Sequence, residues 1–147
     1  AVDMRKVEDI MVVGHYGCGG VKAALDGVRV GLADNWIRHI QDVRDRHHVM
    51  LESLPEEVRA DALVELNVAE QVVNVAVSTV MVDAWGRGQK VTIHGWAFGV
   101  HDGLLQDLGI TVDGEKSLEG AYKAAVQRIR HKWSAPSAPT PAPRNAK

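Results

Sequence analysis

At 147 residues, with 46% apolar and 24% charged residues, the chain suits one modest globular domain with a core of its own. A net charge of -2 with scattered basic residues lacks the footprint of a nucleic-acid binder, and no apolar stretch is long enough to span a bilayer. The N-terminus has no signal-peptide pattern, so a cytoplasmic setting is expected, and the single cysteine, Cys18, is a buried hydrophobe, a reactive thiol or a metal ligand.

Residue 1 is Ala rather than Met, and Ala1-Val-Asp-Met4 reads like the end of a helix already under way, so a truncated chain is expected. The apolar run Ile10-Met-Val-Val13, stopped by Gly14, predicts a strand buried on both faces of a parallel sheet. A glycine-rich loop follows, and Val21-Lys-Ala-Ala-Leu25 starts a short helix that ends near Gly27. Leu32, Trp36, Ile40, Val43, Met50 and Leu54 keep the spacing of a helix with one buried stripe, with Arg38, Arg44 and Arg46 on a solvated face. Ser53-Leu-Pro-Glu56 reads as a capping box. Beyond it, Val58, Ala62, Leu66, Ala69, Val73, Ala76, Val80 and Ala84 predict a long helix or two in series, although the valine-rich stretch 72–82 also fits strand alternation.

Lys90-Val-Thr-Ile-His-Gly95 predicts a second buried strand, His101-Asp-Gly103 a turn, and residues 104–110 an antiparallel return. Ser117 is placed as the cap of a last helix that runs to about Trp133. Residues 134–147 hold four of the five prolines and read as a Pro/Ala/Ser-rich disordered tail beyond a domain at 1–133.

The chemistry centres on the loop. Zinc takes nitrogen and sulfur donors, and His15-x-x-Cys18 offers both where a parallel strand ends, the place where open α/β sheets bind ligands. Glycines 14, 17, 19 and 20 let the backbone fold tightly there, and the N-terminus of the next helix favours negative charge beside it. An arbitrary His-x-x-Cys pair is more often a hydrogen-bonded loop histidine beside a buried structural cysteine. Neither Gly-x-Gly-x-x-Gly nor a Gly-Lys-Ser/Thr ending is present, which argues against a nucleotide cradle.

Gly14-His-Tyr-Gly-Cys-Gly-Gly20 after a buried strand closely resembles the second zinc motif of the β-class carbonic anhydrases. Gly31-Leu-Ala-Asp-Asn-Trp-Ile37, Glu65-Leu-Asn-Val-Ala-Glu-Gln-Val72, Gly88-Gln-Lys-Val-Thr-Ile-His-Gly-Trp96, Phe98 and His101-Asp-Gly-Leu104 follow the proteobacterial branch of that family in order and spacing. The resemblance covers residue 1 to about 133. It implies an α/β fold, a mostly parallel β-sheet with an antiparallel edge strand flanked by helices, assembled as a homodimer or homotetramer. It also implies zinc-dependent, reversible hydration of carbon dioxide to bicarbonate. His15 and Cys18 carry over as zinc ligands, and the Gly19 N–H as a donor to the bound substrate.

The resemblance also shows what is missing. The family's other motif, Cys-x-Asp-Ser-Arg, brings a second cysteine ligand and an aspartate, and this sequence has no such run. The family's upstream part supplies helices that wrap the partner subunit and a central strand, so exposed apolar surface and an open sheet edge are expected here. Phe98 stands where the proteobacterial bicarbonate-inhibition pocket has a Tyr, so inhibition through that pocket is in doubt. His39, His47, His48, His94, His101 and His131 read as structural, and Asp34, Asp102 and Glu65 have no evident partner that would make them catalytic. Two other functions fit the same residues: a relative acting on carbon disulfide, and a non-catalytic metal-binding or subunit-association remnant.

Overall fold

In the computed structural model, residues 1–134 are described. They run as α1 (Val2–Arg5), β1 (Asp9–His15), α2 (Gly19–Asp26), a 3-10 turn (Gly31–Ala33), α3 (Asp34–Arg46), α4 (His48–Glu52), α5 (Glu56–Ala76), α6 (Thr79–Gly86), β2 (Thr92–Phe98), β3 (Leu105–Val112) and α7 (Glu115–Ser134). The expected tail, apart from Ser134 at the end of α7, lies outside the described residues.

β2 is the middle strand of the sheet. It pairs parallel with β1, from Asp9 opposite Thr92 to His15 opposite Phe98, and antiparallel with β3, from Ile93 opposite Val112 to Phe98 opposite Leu105. The α/β class and the antiparallel return are thus observed, in a sheet with one parallel and one antiparallel pairing among the described residues. The reversal before β3 is tight because Gly103 sits at φ 71° and Asp102 Oδ1 accepts the Leu104 N–H at 3.0 Å.

α5 packs against β1 and β2, and α7 against β3 and α5. Val64, Val68 and Val72, four residues apart, form a ridge on α5 that meets strand positions without side chains. A Cβ on Gly14 would stand 2.7 Å from Val68 Cγ2, and one on Gly95 would stand 2.4 Å from Ile110 Cγ2 and 3.1 Å from Val68 Cγ1. These glycines let the helix lie on the strand end that carries His15. Val68, Val72, Ile93, Ala97, Ile110 and Val112 form the main core, and Leu51, Leu54, Leu63, Leu66 and Ile129 a second one beneath α2 and α3. Each such Val, Leu or Ile contributes about 1.5–3 kcal/mol by leaving water.

Several expectations are corrected. β1 is not buried on both faces: Met11 and Val13 are 58% and 49% exposed, because among the described residues helices cover one of its faces. The helix expected over 32–54 is broken into the 3-10 turn, α3 and α4. Its buried residues are Ile37, Val43, Leu51 and Leu54, whereas Leu32 and Trp36 are 96% and 77% exposed. Helical spacing was right, but this stripe turns partly away from the chain's own core. The Ser53 capping box does not form, since Ser53 Oγ donates to Met50 O and closes the preceding turn while Pro55 precedes α5. Ser117 lies inside α7 rather than capping it, and its hydroxyl bonds Asp113 Oδ1 at 2.7 Å.

The valine-rich stretch is helical. α5 and α6 are in series with a 57° bend between them, where Ser78 takes extended angles. Among the described residues no single helix is long and apolar enough to cross a membrane.

Candidate metal centre

β1 delivers His15 as its last residue, and α2 begins one residue after Cys18. Alternation along the strand turns Gly14 toward α5 and His15 to the opposite, exposed side. The chain then turns through Gly17 at φ 70°, a left-handed conformation that glycine adopts without strain. Cys18 is the N-cap of α2, its carbonyl accepting the Lys22 N–H at 3.0 Å. Its side chain is half-buried against the second core, and a Cβ on Gly20 would sit 3.8 Å from Cys18 Sγ. Gly19 opens α2 with nothing within 4 Å of its Cβ position, and as a first-turn residue its N–H has no acceptor within the helix.

His15 Nδ1 lies 3.1 Å from the Tyr16 carbonyl oxygen. With the proton on Nδ1 the ring donates to that carbonyl and leaves the Nε2 lone pair free, the arrangement metal-binding histidines use. An imidazole and a thiol suit zinc. Among the described residues no third His, Cys, Asp or Glu gathers with them into a metal-holding group. The donors present therefore fit zinc as half of a tetrahedral set.

Tyr16, between the two donors, turns inward. Its N–H donates to Phe98 O at 3.0 Å, and its hydroxyl donates to Glu65 Oε1 at 2.5 Å. Glu65 is 1% exposed and also accepts Lys132 Nζ on the same oxygen at 2.5 Å and Trp133 Nε1 on Oε2 at 3.1 Å. Burial, then the Glu65 hydrogen bond and charge, push the Tyr16 hydroxyl above its ordinary value, so it remains a donor at neutral pH. Glu65, expected to have no partner that would make it catalytic, thus bonds Tyr16, Lys132 and Trp133 beside the loop. One signal could have found it: a charge at position 65 falls in the register of Ala69, Val72 and Ala76, all buried.

His47 Nε2 meets Glu70 Oε1 at 3.3 Å and the Tyr122 hydroxyl at 3.1 Å, and His94 Nε2 meets Asp9 Oδ1 at 2.9 Å, both packing roles as expected. Arg44 and Arg46 are not free on a solvated face. Arg44 donates to the Ala24 carbonyl at 2.5 Å and Arg46 to Glu70, each tying α3 to a neighbouring element. Asp34 Oδ1 accepts the Val30 N–H at 2.7 Å. Phe98 lies opposite His15 in the strand register.

A donor pair at the strand end, a glycine turn and a helix N-terminus on a mixed sheet make a candidate metal site on an α/β fold. The carbonic anhydrase family model matches residues 1–105, and the chain belongs to that family. A carbonic anhydrase of Emericella nidulans is 40% identical over 115 residues, which are 78% of this chain and 50% of that protein. One from Pseudomonas aeruginosa is 30% identical over 136 residues, 89% of this chain and 56% of that protein. Fungal and bacterial relatives both match, so the proteobacterial branch is not singled out. The β-carbonic anhydrase of Coccomyxa in complex with acetazolamide superposes with a TM-score of 0.76 at 31% identity, covering 92% of this chain and 62% of that one. A tetrameric β-carbonic anhydrase of Sordaria macrospora gives 0.67 at 29% identity, over 76% of this chain and 57% of that one. The chain spans about half the length of these two curated relatives.

Proposed function

We propose that this chain serves the zinc-dependent, reversible hydration of carbon dioxide to bicarbonate, with His15 and Cys18 as two of the metal's ligands. The observation that carries this is the pairing of an imidazole at the end of a parallel strand with a thiol at the N-cap of the next helix. When bound, zinc supplies a Lewis acid that makes hydroxide available near neutral pH. The chain's own residues hold and orient. His15 offers Nε2 while its Nδ1–H is held by the Tyr16 carbonyl, Cys18 supplies sulfur, and the Gly19 N–H donates to a bicarbonate oxygen.

A catalytic zinc site takes three protein donors, and the described residues bring two. The 147-residue chain alone is therefore expected to bind zinc weakly and to hydrate no carbon dioxide above background. A chain extended upstream of Ala1 with a Cys-x-Asp-Ser-Arg segment is expected to bind zinc and turn over, and Cys18→Ser should abolish both. Stopped-flow hydration and zinc content decide. Tight zinc with turnover in the 147-residue chain, or turnover that survives Cys18→Ser, would contradict the proposal.

The same proposal includes assembly as a homodimer or homotetramer. Leu32 and Trp36 on one side, and Met11 and Val13 on the exposed sheet face, leave large apolar side chains in water, the kind of surface a subunit interface covers. Light scattering of the purified chain tests it, and a monomer at micromolar concentration would count against it.

A further inference from the structure

Between the two donors lie only Tyr16 and Gly17, so the turn carries one glycine and one large side chain. That side chain is held from several elements. Besides Glu65 of α5, the Tyr16 hydroxyl lies 3.2 Å from Gln106 Oε1 of β3 and 3.2 Å from Lys132 Nζ of α7. The Tyr16 ring meets Trp133 edge to face at 6.3 Å, and the Lys132 ammonium lies 5.5 Å from the Tyr16 ring centre and 4.6 Å from that of Trp133.

A carboxylate as deep as Glu65 costs several kcal/mol unless its oxygens are met by donors. Here Tyr16, Lys132 and Trp133 meet them. Two of those donors come from α7, so the carboxylate joins two helices, and its third donor is the residue between His15 and Cys18. A turn that passes through left-handed Gly17 between the strand end and α2 has little stiffness of its own. Its geometry then depends on where the Tyr16 hydroxyl is fixed.

We propose that Glu65, braced by Lys132 and Trp133, is a positioning residue for the metal loop: by holding the Tyr16 hydroxyl it sets His15 and Cys18 to face a common point. This rests on the metal-binding role proposed above for those two residues. Glu65 touches neither donor and acts through Tyr16. The smallest cut is Tyr16→Phe, which keeps the ring and its contact with Trp133 and leaves Glu65 with Lys132 and Trp133.

The test combines cobalt titration of the 147-residue chain, followed by thiolate-to-cobalt charge transfer, with backbone NMR order parameters of Gly17, Gly19 and Gly20. In Tyr16→Phe, cobalt affinity is expected to fall about 10–100-fold, the loss typical of an outer-shell partner. The glycine order parameters should drop from about 0.85 toward 0.6 or below. The melting temperature should move by only a few degrees, roughly that of one lost hydrogen bond. Glu65→Gln, which keeps one acceptor for Tyr16, should fall between the two. The positioning role is overturned if Tyr16→Phe keeps the wild-type order parameters and binds cobalt within about twofold of wild type. His15→Ala and Cys18→Ser separate the two proposals: if neither lowers cobalt affinity the metal role fails, while the order parameters still decide whether Tyr16 holds the loop.

Discussion

Glu65 and Glu70 sit on the same helix, α5, and are 1% and 4% exposed, yet they are put to different use. Glu65 is bonded by Tyr16, Lys132 and Trp133, so one of its partners belongs to the loop that carries the proposed metal donors. Glu70 is bonded by Arg46, His47 and Tyr122, none of which belongs to that loop; they lie on α3, its C-terminal end and α7. Both carboxylates brace α5 against α7, but only Glu65 also bonds Tyr16, between the proposed metal donors His15 and Cys18. Burial of a charge therefore marks a junction of elements; which junction matters for function depends on what the partner itself supports.

The comparison breaks most visibly if the two carboxylates prove interchangeable. Glu70→Ala is expected to cost about 3 kcal/mol, the low end for stranding buried partners because Arg46 is 59% exposed while His47 is 11% exposed. Its cobalt affinity should stay at the wild-type value. A loss of metal binding on a par with Tyr16→Phe, measured at a temperature where both variants are folded, would erase the distinction.

Acid sharpens the same contrast. Burial alone would raise the Glu70 carboxyl, but hydrogen bonds from His47, Tyr122 and Arg46, with the Arg46 charge, outweigh it and hold the group at about 2. The Tyr122 hydroxyl is pushed up to about 12, first by burial and then by Glu70, so it keeps donating. Because the folded value is depressed, the stabilisation is complete above the ordinary carboxyl range and is lost as pH falls toward about 2, where about 3 kcal/mol has gone. Thermal melts at a series of pH values should show the gap between wild type and Glu70→Gln closing between about pH 5 and pH 2. A constant gap would mean that the charge of Glu70 contributes nothing.

A smaller effect is expected at Gly14, where β1 meets α5. A methyl group there would press on Val68 Cγ2 at 2.7 Å, so Gly14→Ala should cost about 1–3 kcal/mol by overpacking. Pushing α5 from the strand end also separates Glu65 from Tyr16, so cobalt affinity should fall together with the melting temperature. An unchanged affinity would show that the loop tolerates a shifted helix.

Much of the fold was legible in the sequence. The run Ile10-Met-Val-Val13 stopped by glycine gave β1, and the apolar spacing from Val58 to Ala84 outweighed the strand preference of its valines. The antiparallel return followed from His101-Asp-Gly103. What spacing alone could not say is which stripe meets the chain's own core, and Leu32 and Trp36 show it: both fit the helical period and both face water. The proposed donor pair His15 and Cys18 stands out in the sequence because it is local. The brace behind it was not, since Glu65 meets Tyr16, Lys132 and Trp133 at sequence separations of 49, 67 and 68. A carboxylate within a buried helical stripe is visible in sequence; its partners appear only once β1, α5 and α7 are packed together.

That His15 and Cys18 form one half of a zinc site is tested most directly by X-ray absorption at the zinc edge. The 147-residue chain would be held at high concentration with substoichiometric metal. The expected shell has one sulfur at about 2.3 Å and one imidazole nitrogen at about 2.0 Å, completed by lighter oxygen ligands, with the sulfur lost in Cys18→Ser. A shell without sulfur, or one unchanged by Cys18→Ser, would contradict it.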